Sequence, residues 1–176
     1  MQLHETIDLP TDVRGAAMLL SDPGYVHAKV RAAGAAEQQV DVSGSGDEAF
    51  TVTTRRALPS AQIPSQLRPF VGDRIDVRQV EAWEAPGPDG SRSGTVVVEI
   101  AGAPVRLTGR TSLTAEGPGS RVTYDGEVRA AVPLFGAAIE EAAAAAVRGA
   151  LHAERVVAAR WLAGDRSGAE GPTTSR

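Results

Sequence analysis

The stretch PLFGAAIEEAAAAAVRGALHAERVVAARWLAG, residues 133–164, decides how the rest of the chain is read. Within it alanine stands at nearly every second place after Phe135, no proline follows Pro133 before Gly164, and the run closes on Trp161, Leu162, Ala163 and Gly164. A proline before and a glycine after are ordinary helix punctuation. Residues 137–163 therefore read as one C-terminal helix of about seven turns at ~3.6 residues per turn. On a helical wheel Ile139, Ala143, Ala146, Val147, Ala150, Leu151, Val157, Ala158 and Trp161 share one broad face, and Glu141, Arg148, His152 and Arg155 share the other. The inner face is mostly small. It either lets a sheet approach closely or leaves volume unfilled, and periodicity does not distinguish the two.

Glu154 lies beside that apolar face rather than opposite it. Turned inward, its carboxylate needs a partner or a raised pKa; at the helix edge, it snorkels to solvent.

Upstream, the chain supplies the sheet. Leu3, Ile7 and Leu9 alternate with polar neighbours as a first strand, and Glu5 shares their inward parity. Pro10-Thr11-Asp12 opens a short helix over about 12–20, and Ser21-Asp22-Pro23 opens a second with Tyr25, Val26 and Val30 inward and Gly34 as its stop. Beyond Gly34 the period is two. Val40 and Val42, a Gly44-Ser45-Gly46-Asp47 turn, then Phe50, Val52 and Thr54 make a hairpin. Residues 57–73 break the rhythm: Pro59, Pro64 and Pro69 forbid a regular strand, while Ile63, Leu67, Phe70 and Val71 suit a lid or a static plug over apolar space.

From Arg74 to Glu84, Ile75, Val77, Gln79, Glu81 and Trp83 share a face that Val80 and Ala82 interrupt, which predicts a bulge or a strand apolar on both sides. Strands over 95–100, 105–113 and 122–130 follow, separated by glycine- and proline-rich turns. The order is strand, two helices, six strands in consecutive hairpins and a long helix, an α+β arrangement with an antiparallel sheet. Residues 165–176 have no apolar periodicity and read as a disordered tail after a single domain over 1–164.

Composition narrows the function classes. A net charge of −4 offers no basic face to nucleic acid. Arginine so outnumbers lysine that Lys29 is the only lysine, a bias that reads as genome composition. The absence of cysteine excludes disulfides, thiolate metal sites and thiol nucleophiles. The three histidines, His4, His27 and His152, are too far apart in sequence to suggest a metal site or a triad. Glu140 and Glu141 diverge by about 100° on a helix and cannot share one substrate bond. No glycine-rich phosphate loop opens a helix, and no charge-free apolar stretch of ~18 residues spans a membrane. The N-terminus has no apolar core of a signal peptide. The expectation is a cytoplasmic protein without nucleic-acid partner or membrane insertion, monomeric or homodimeric.

Several short motifs in order carry a family resemblance: Leu58-Pro59 with Ile63-Pro64, then Trp83, then Gly102-Ala103-Pro104-Val105 with Gly109. Gly126-Glu127-Val128 through Val132-Pro133-Leu134-Phe135-Gly136, with Ile139-Glu140, completes the series. Over residues 1–164 the chain resembles the START-like superfamily, also called helix-grip or SRPBCC, and most closely an actinobacterial branch of unknown function. The resemblance implies a curved seven-stranded antiparallel sheet around the long helix, and a small apolar ligand, such as a lipid, isoprenoid or polyketide, held between them. It implies no cofactor and no metal. On this reading the ligand is lined by Phe70, Trp83, Leu107, Tyr124, Ile139, Val147, Leu151, Glu154 and Ala158, and Arg56 with Glu81 or Glu154 forms a polar end. An enzyme reading uses Glu81, Glu154 or Tyr124 as acid or base, as START-like cyclases do. In a third reading side chains fill the grip, and the outer surface meets a protein partner.

Overall fold

The computed structural model describes residues 1–59, 65, 68–71 and 74–167, with only the backbone of Phe70 and Val71. In chain order the elements are β1 (Gln2–Leu9), α1 (Val13–Leu20), α2 (Pro23–Ala32), β2 (Glu37–Gly44), β3 (Phe50–Pro59) and the single turn α3 (Arg68–Val71). They continue with β4 (Arg74–Trp83), β5 (Arg92–Ile100), β6 (Val105–Glu116), β7 (Gly119–Ala130) and α4 (Gly136–Leu162).

The helix starts follow from their caps. The Asp12 carboxylate accepts from the Gly15 N–H at 2.7 Å, and that of Asp22 from the Gly24 N–H at 2.8 Å, satisfying donors that the first turn leaves open. Gly34, at φ 89°, turns the chain out of α2 through the left-handed region. At the start of α4, Glu140 accepts from the Ala130 N–H at 3.0 Å, tying the helix to the end of β7.

The seven strands form one antiparallel sheet in the order β1-β7-β6-β5-β4-β3-β2. Only β1 is out of sequence: α1 and α2 carry the chain from it across to β2 at the opposite edge. Of the two expectations for β4, the bulge is absent and a strand with apolar residues on both sides is found. Its pairing runs unbroken from Phe50 opposite Trp83 to Pro59 opposite Arg74, and from Val77 opposite Ile100 to Trp83 opposite Gly94. Val80 and Ala82 are simply half-buried on the outer face, which explains the mixed parity without an extra residue.

Two apolar clusters lie on the inner side. The larger gathers residues such as Leu20, Tyr25, Val26, Leu113, Val122 and Trp161, so α1, α2, the sheet and the C-terminal part of α4 meet there. The smaller joins Ile75, Val77, Val105, Val132 and Ile139 at the other end of α4. Phe50 stacks on Trp83 with ring centroids 6.1 Å apart, and Tyr25 meets Trp161 edge to face at 6.0 Å. Arg92 secures the β2–β3 turn by donating to the Gly46 carbonyl at 2.7 Å and the Glu48 carbonyl at 3.0 Å.

The wheel of α4 needs one correction. Ala144, absent from its inner set, is fully buried in the larger cluster. Arg148 is exposed as expected and still reaches β1, where it pairs with Glu5 at 2.9 Å. The expected disordered tail lies outside the described residues from 168 onward. Before that point Arg166 lies over the Trp161 ring at 5.1 Å and 3.7 Å from Asp22.

Candidate functional site

The second helix presents Tyr25, Val26, Lys29 and Val30 to the interior, a run at three- and four-residue spacing. The only lysine of the chain is thus a buried one, 7% exposed. Its ammonium sits 2.9 Å from Glu154 on α4 and 3.5 Å from Glu81 on β4, both also buried. The Tyr25 hydroxyl donates to Glu154 Oε1 at 3.3 Å. On the sheet side the Gln79 amide donates to Glu81 Oε1 at 2.7 Å, and Arg56 Nη1 donates to Gln79 Oε1 at 3.2 Å. One hydrogen-bonded chain therefore runs from Arg56 through Gln79, Glu81 and Lys29 to Glu154 and Tyr25. Fully ionised, its two cations and two carboxylates balance.

Burial sets the electrostatics, and partners modify it. For Lys29, burial favours the neutral amine, but the Glu154 and Glu81 carboxylates outweigh it and raise the pKa, so Lys29 stays an ammonium and is no amine nucleophile. Burial raises the Glu154 carboxyl against the opposing pull of Lys29, and Glu81 adds to the rise. Burial likewise raises Tyr25 and Tyr124 well above the usual phenol range, with Glu154 adding to both shifts. Arg56 is lowered by burial against the pull of Glu81 and Glu154.

The polar chain borders a cleft between α4 and the sheet. Its inner part, about 80 Å³, is lined by Leu3, Leu107, Val147 and Leu151 together with the polar Lys29, Thr54, Arg56, Gln79, Tyr124 and Glu154. Its outer part, about 530 Å³, is lined by Leu58, Ile75, Val77 and Val105 on the sheet and by Ala142, Ala143 and Ala146 on α4. Ala33, Arg56, Val98, Leu107, Val147 and Ala150 line both, so the two parts adjoin. Among the described residues, the small inner face of α4 leaves volume beside the sheet rather than close contact. Two hydroxyls on the inner part, Thr54 Oγ1 and Tyr124 Oη, are buried without a hydrogen-bond partner among the described residues.

Of the residues singled out by sequence, Arg56, Leu107, Tyr124, Val147, Leu151 and Glu154 meet at the inner part. Glu81 stands just behind it, joined through Gln79 and Lys29. Trp83, Ile139 and Ala158 line neither part: Trp83 stacks on Phe50, Ile139 is sealed in the smaller cluster, and Ala158 packs in the larger. The side chain of Phe70, and Ile63 and Leu67 of the expected lid or plug, lie outside the described residues. Glu154 is inward and paired, so the edge position at the helix is not adopted. Sequence reasoning missed Lys29 and Thr54. Lys29 carried a signal, its place between Val26 and Val30 on the inward face of α2, that its reading as composition passed over.

Among the described residues no group of three or more His, Asp or Glu side chains is placed to hold a metal ion, and no helix is long and apolar enough to cross a membrane.

The model of a family described as "Protein of unknown function (DUF2505)" matches residues 4–162. No curated protein sequence matches the chain. Among solved structures, a protein of Thermus thermophilus superposes with a TM-score of 0.59 at 14% identity, covering 93% of this chain and 99% of the other. A STAR-related lipid transfer protein fragment from Xanthomonas axonopodis gives 0.54 at 17% identity, over 89% and 85% of the two chains. The ZhuI aromatase/cyclase from Streptomyces sp. R1128 gives 0.52 at 13% identity, over 99% of each. The fold is START-like.

Proposed function

We propose that this chain, which belongs to the DUF2505 family, binds a small hydrophobic molecule between its sheet and α4. The observation that carries this reading is the cleft itself: an apolar volume of about 530 Å³, inside the ~300–1,000 Å³ usual for small-molecule sites, opening onto a polar inner end. A few polar groups at the end of an apolar cleft orient a ligand whose body is held by apolar contact. Lipid-transfer and aromatase/cyclase proteins among the structural neighbours support the same general class. Leu107, Val147 and Leu151 hold the body of the ligand, and Arg56, Tyr124 and Glu154 face its polar end.

The test is native mass spectrometry of freshly purified protein, paired with displacement of an apolar fluorescent dye by fatty acids, isoprenoids and polyketide aromatics. Ala146→Trp fills the outer part from a helix position that already borders it. We expect this variant to keep its melting temperature and lose dye binding. Equal dye binding by wild type and variant would remove the cleft as the site. A catalytic reading is favoured by one observation, the raised Glu154 carboxyl at the cleft. It requires turnover of a bound substrate that Glu154→Gln abolishes while binding persists.

A further inference from the structure

The inner part of the cleft is unbalanced in its hydrogen bonding. Glu154 Oε1 already accepts from Lys29 and Tyr25, Glu81 Oε1 from Gln79, and Gln79 Oε1 from Arg56. The donors are less well used. Arg56 has one hydrogen bond to Gln79 and no carboxylate within ion-pair distance among the described residues, although a guanidinium has five N–H groups. Among the described residues the hydroxyls of Thr54 and Tyr124, residues 2% and 5% exposed, have no well-formed hydrogen bond, with the Glu81 carboxylate near that of Tyr124. Leaving such groups unpaired in an apolar interior is costly, so the site favours a head group that brings acceptors.

Resting on the binding function proposed above, we propose that the head group is a carboxylate: the ligand is an amphiphilic carboxylic acid, its chain in the outer part and its acid received by Arg56, Thr54 and Tyr124. Arg56 is placed for this because it borders both parts, at the point where a chain entering from the apolar side meets the polar end. A carboxylate matches the guanidinium fork and offers about four lone-pair directions, whereas an alcohol offers two at one oxygen. An ammonium head meets Lys29 and Arg56 as like charges, and both carboxylates already face Lys29.

The charge balance adds a second signature. The groups facing the head are Tyr25 and Lys29 from α2, Thr54 and Arg56 from β3, Gln79 and Glu81 from β4, Tyr124 and, at the solvent edge beside His4, Asp125 from β7, and Glu154 from α4. With Lys29, Arg56, Glu81 and Glu154 ionised the buried set is neutral, so an entering anion leaves one uncompensated negative charge in the interior. Glu154, already raised by burial, is the group that takes up a proton to cancel it. The acid therefore binds more tightly as the pH falls through the titration of Glu154, by at most about tenfold per unit.

The experiment compares four ten-carbon probes, decanoic acid, decanol, methyl decanoate and decylamine, by calorimetry against the wild type, Arg56→Met, Thr54→Val and Tyr124→Phe. The last two variants each delete one hydroxyl and keep the outline of the side chain, and a thermal melt checks that the fold is kept. We expect the acid to bind about tenfold or more above the alcohol and ester, with the amine weakest. Arg56→Met should weaken the acid by about 10–100-fold and change the alcohol by less than about threefold. Equal binding of all four probes, or the amine binding best, overturns the carboxylate assignment while the cleft stands as a binding site. If none of the probes binds and the dye is not displaced, the binding function fails and the assignment fails with it.

Discussion

Replacing Lys29 by methionine tests the polar chain most directly. Methionine keeps much of the length and apolar stem of lysine but removes the charge, so Glu154 and Glu81 are left as two buried carboxylates without the cation between them. Removing one member of a buried ion pair costs about 3–5 kcal/mol, because the remaining charge keeps its desolvation penalty and loses its compensation. For a chain of 176 residues about 1 kcal/mol moves the melting temperature by roughly 2–4 °C, so the variant should melt about 6–20 °C lower at pH 8. The pH dependence gives the sign. A carboxyl whose folded pKa lies above its unfolded value contributes stability below the unfolded pKa, and loses it as the pH rises through the folded one. Glu154 is already raised in the wild type, and losing Lys29 raises it further. The deficit of the variant should thus be largest near pH 8 and shrink toward pH 5, as the raised Glu154 carboxyl takes up a proton. Lys29 itself is raised above its usual value, so its own deprotonation does not enter this window. Urea unfolding of Lys29→Met and of Lys29→Met with Glu154→Gln, each at pH 5 and 8, measures both effects. The double variant should recover part of the loss at pH 8 because the facing carboxylates are no longer both charged. A loss under about 1 kcal/mol at pH 8, or an equal deficit at both pH values, would refute the account of a desolvated, mutually compensating cluster.

Glu154→Gln alone keeps the acceptor for Lys29 and Tyr25 but deletes the titrating group, so its unfolding free energy should vary less between pH 5 and 8 than that of the wild type, as chemical denaturation at the two pH values would show. Gly46→Ala places a methyl group 2.6 Å from the Met18 backbone nitrogen in α1, an overlap with backbone that should cost about 1–3 kcal/mol in a thermal melt. Gly87→Ala meets nothing closer than an Asp89 carboxylate oxygen at 3.4 Å and should leave the melting temperature nearly unchanged.

How much of this was legible follows from what a sequence pattern encodes. Alternation placed Val122, Tyr124 and Val128 inward, and the caps at Asp12 and Asp22 set the helix starts; both signals are local, and the structure keeps them. The parity of Gln79 and Glu81 and the helical position of Glu154 also pointed to inward polar groups, all three now in one hydrogen-bonded chain with Arg56. Periodicity gives the face of an element but not the depth to which each position sinks, and α4 shows the difference along one face. Ile139 at its start is sealed by the smaller cluster, residues from Ala143 to Leu151 border open volume, and Ala158 with Trp161 at its end close against the larger cluster. Those three environments share one apolar pattern, so the wheel put Ile139 and Ala158 on one face with Val147 and Leu151, and the resemblance then implied that all four meet the ligand. Arg148 shows a second gap: a wheel gives the direction of Cβ, while a long side chain still reaches Glu5 on the neighbouring strand. Whether α4 touches the sheet or stands off is decided by what props the layers apart. Here Lys29, Glu154 and Glu81, on three different elements, meet between those layers beside the cleft. An ion pair so buried favours the geometry that keeps its partners in contact, and here those partners sit on α2, α4 and β4 at the end of the cleft.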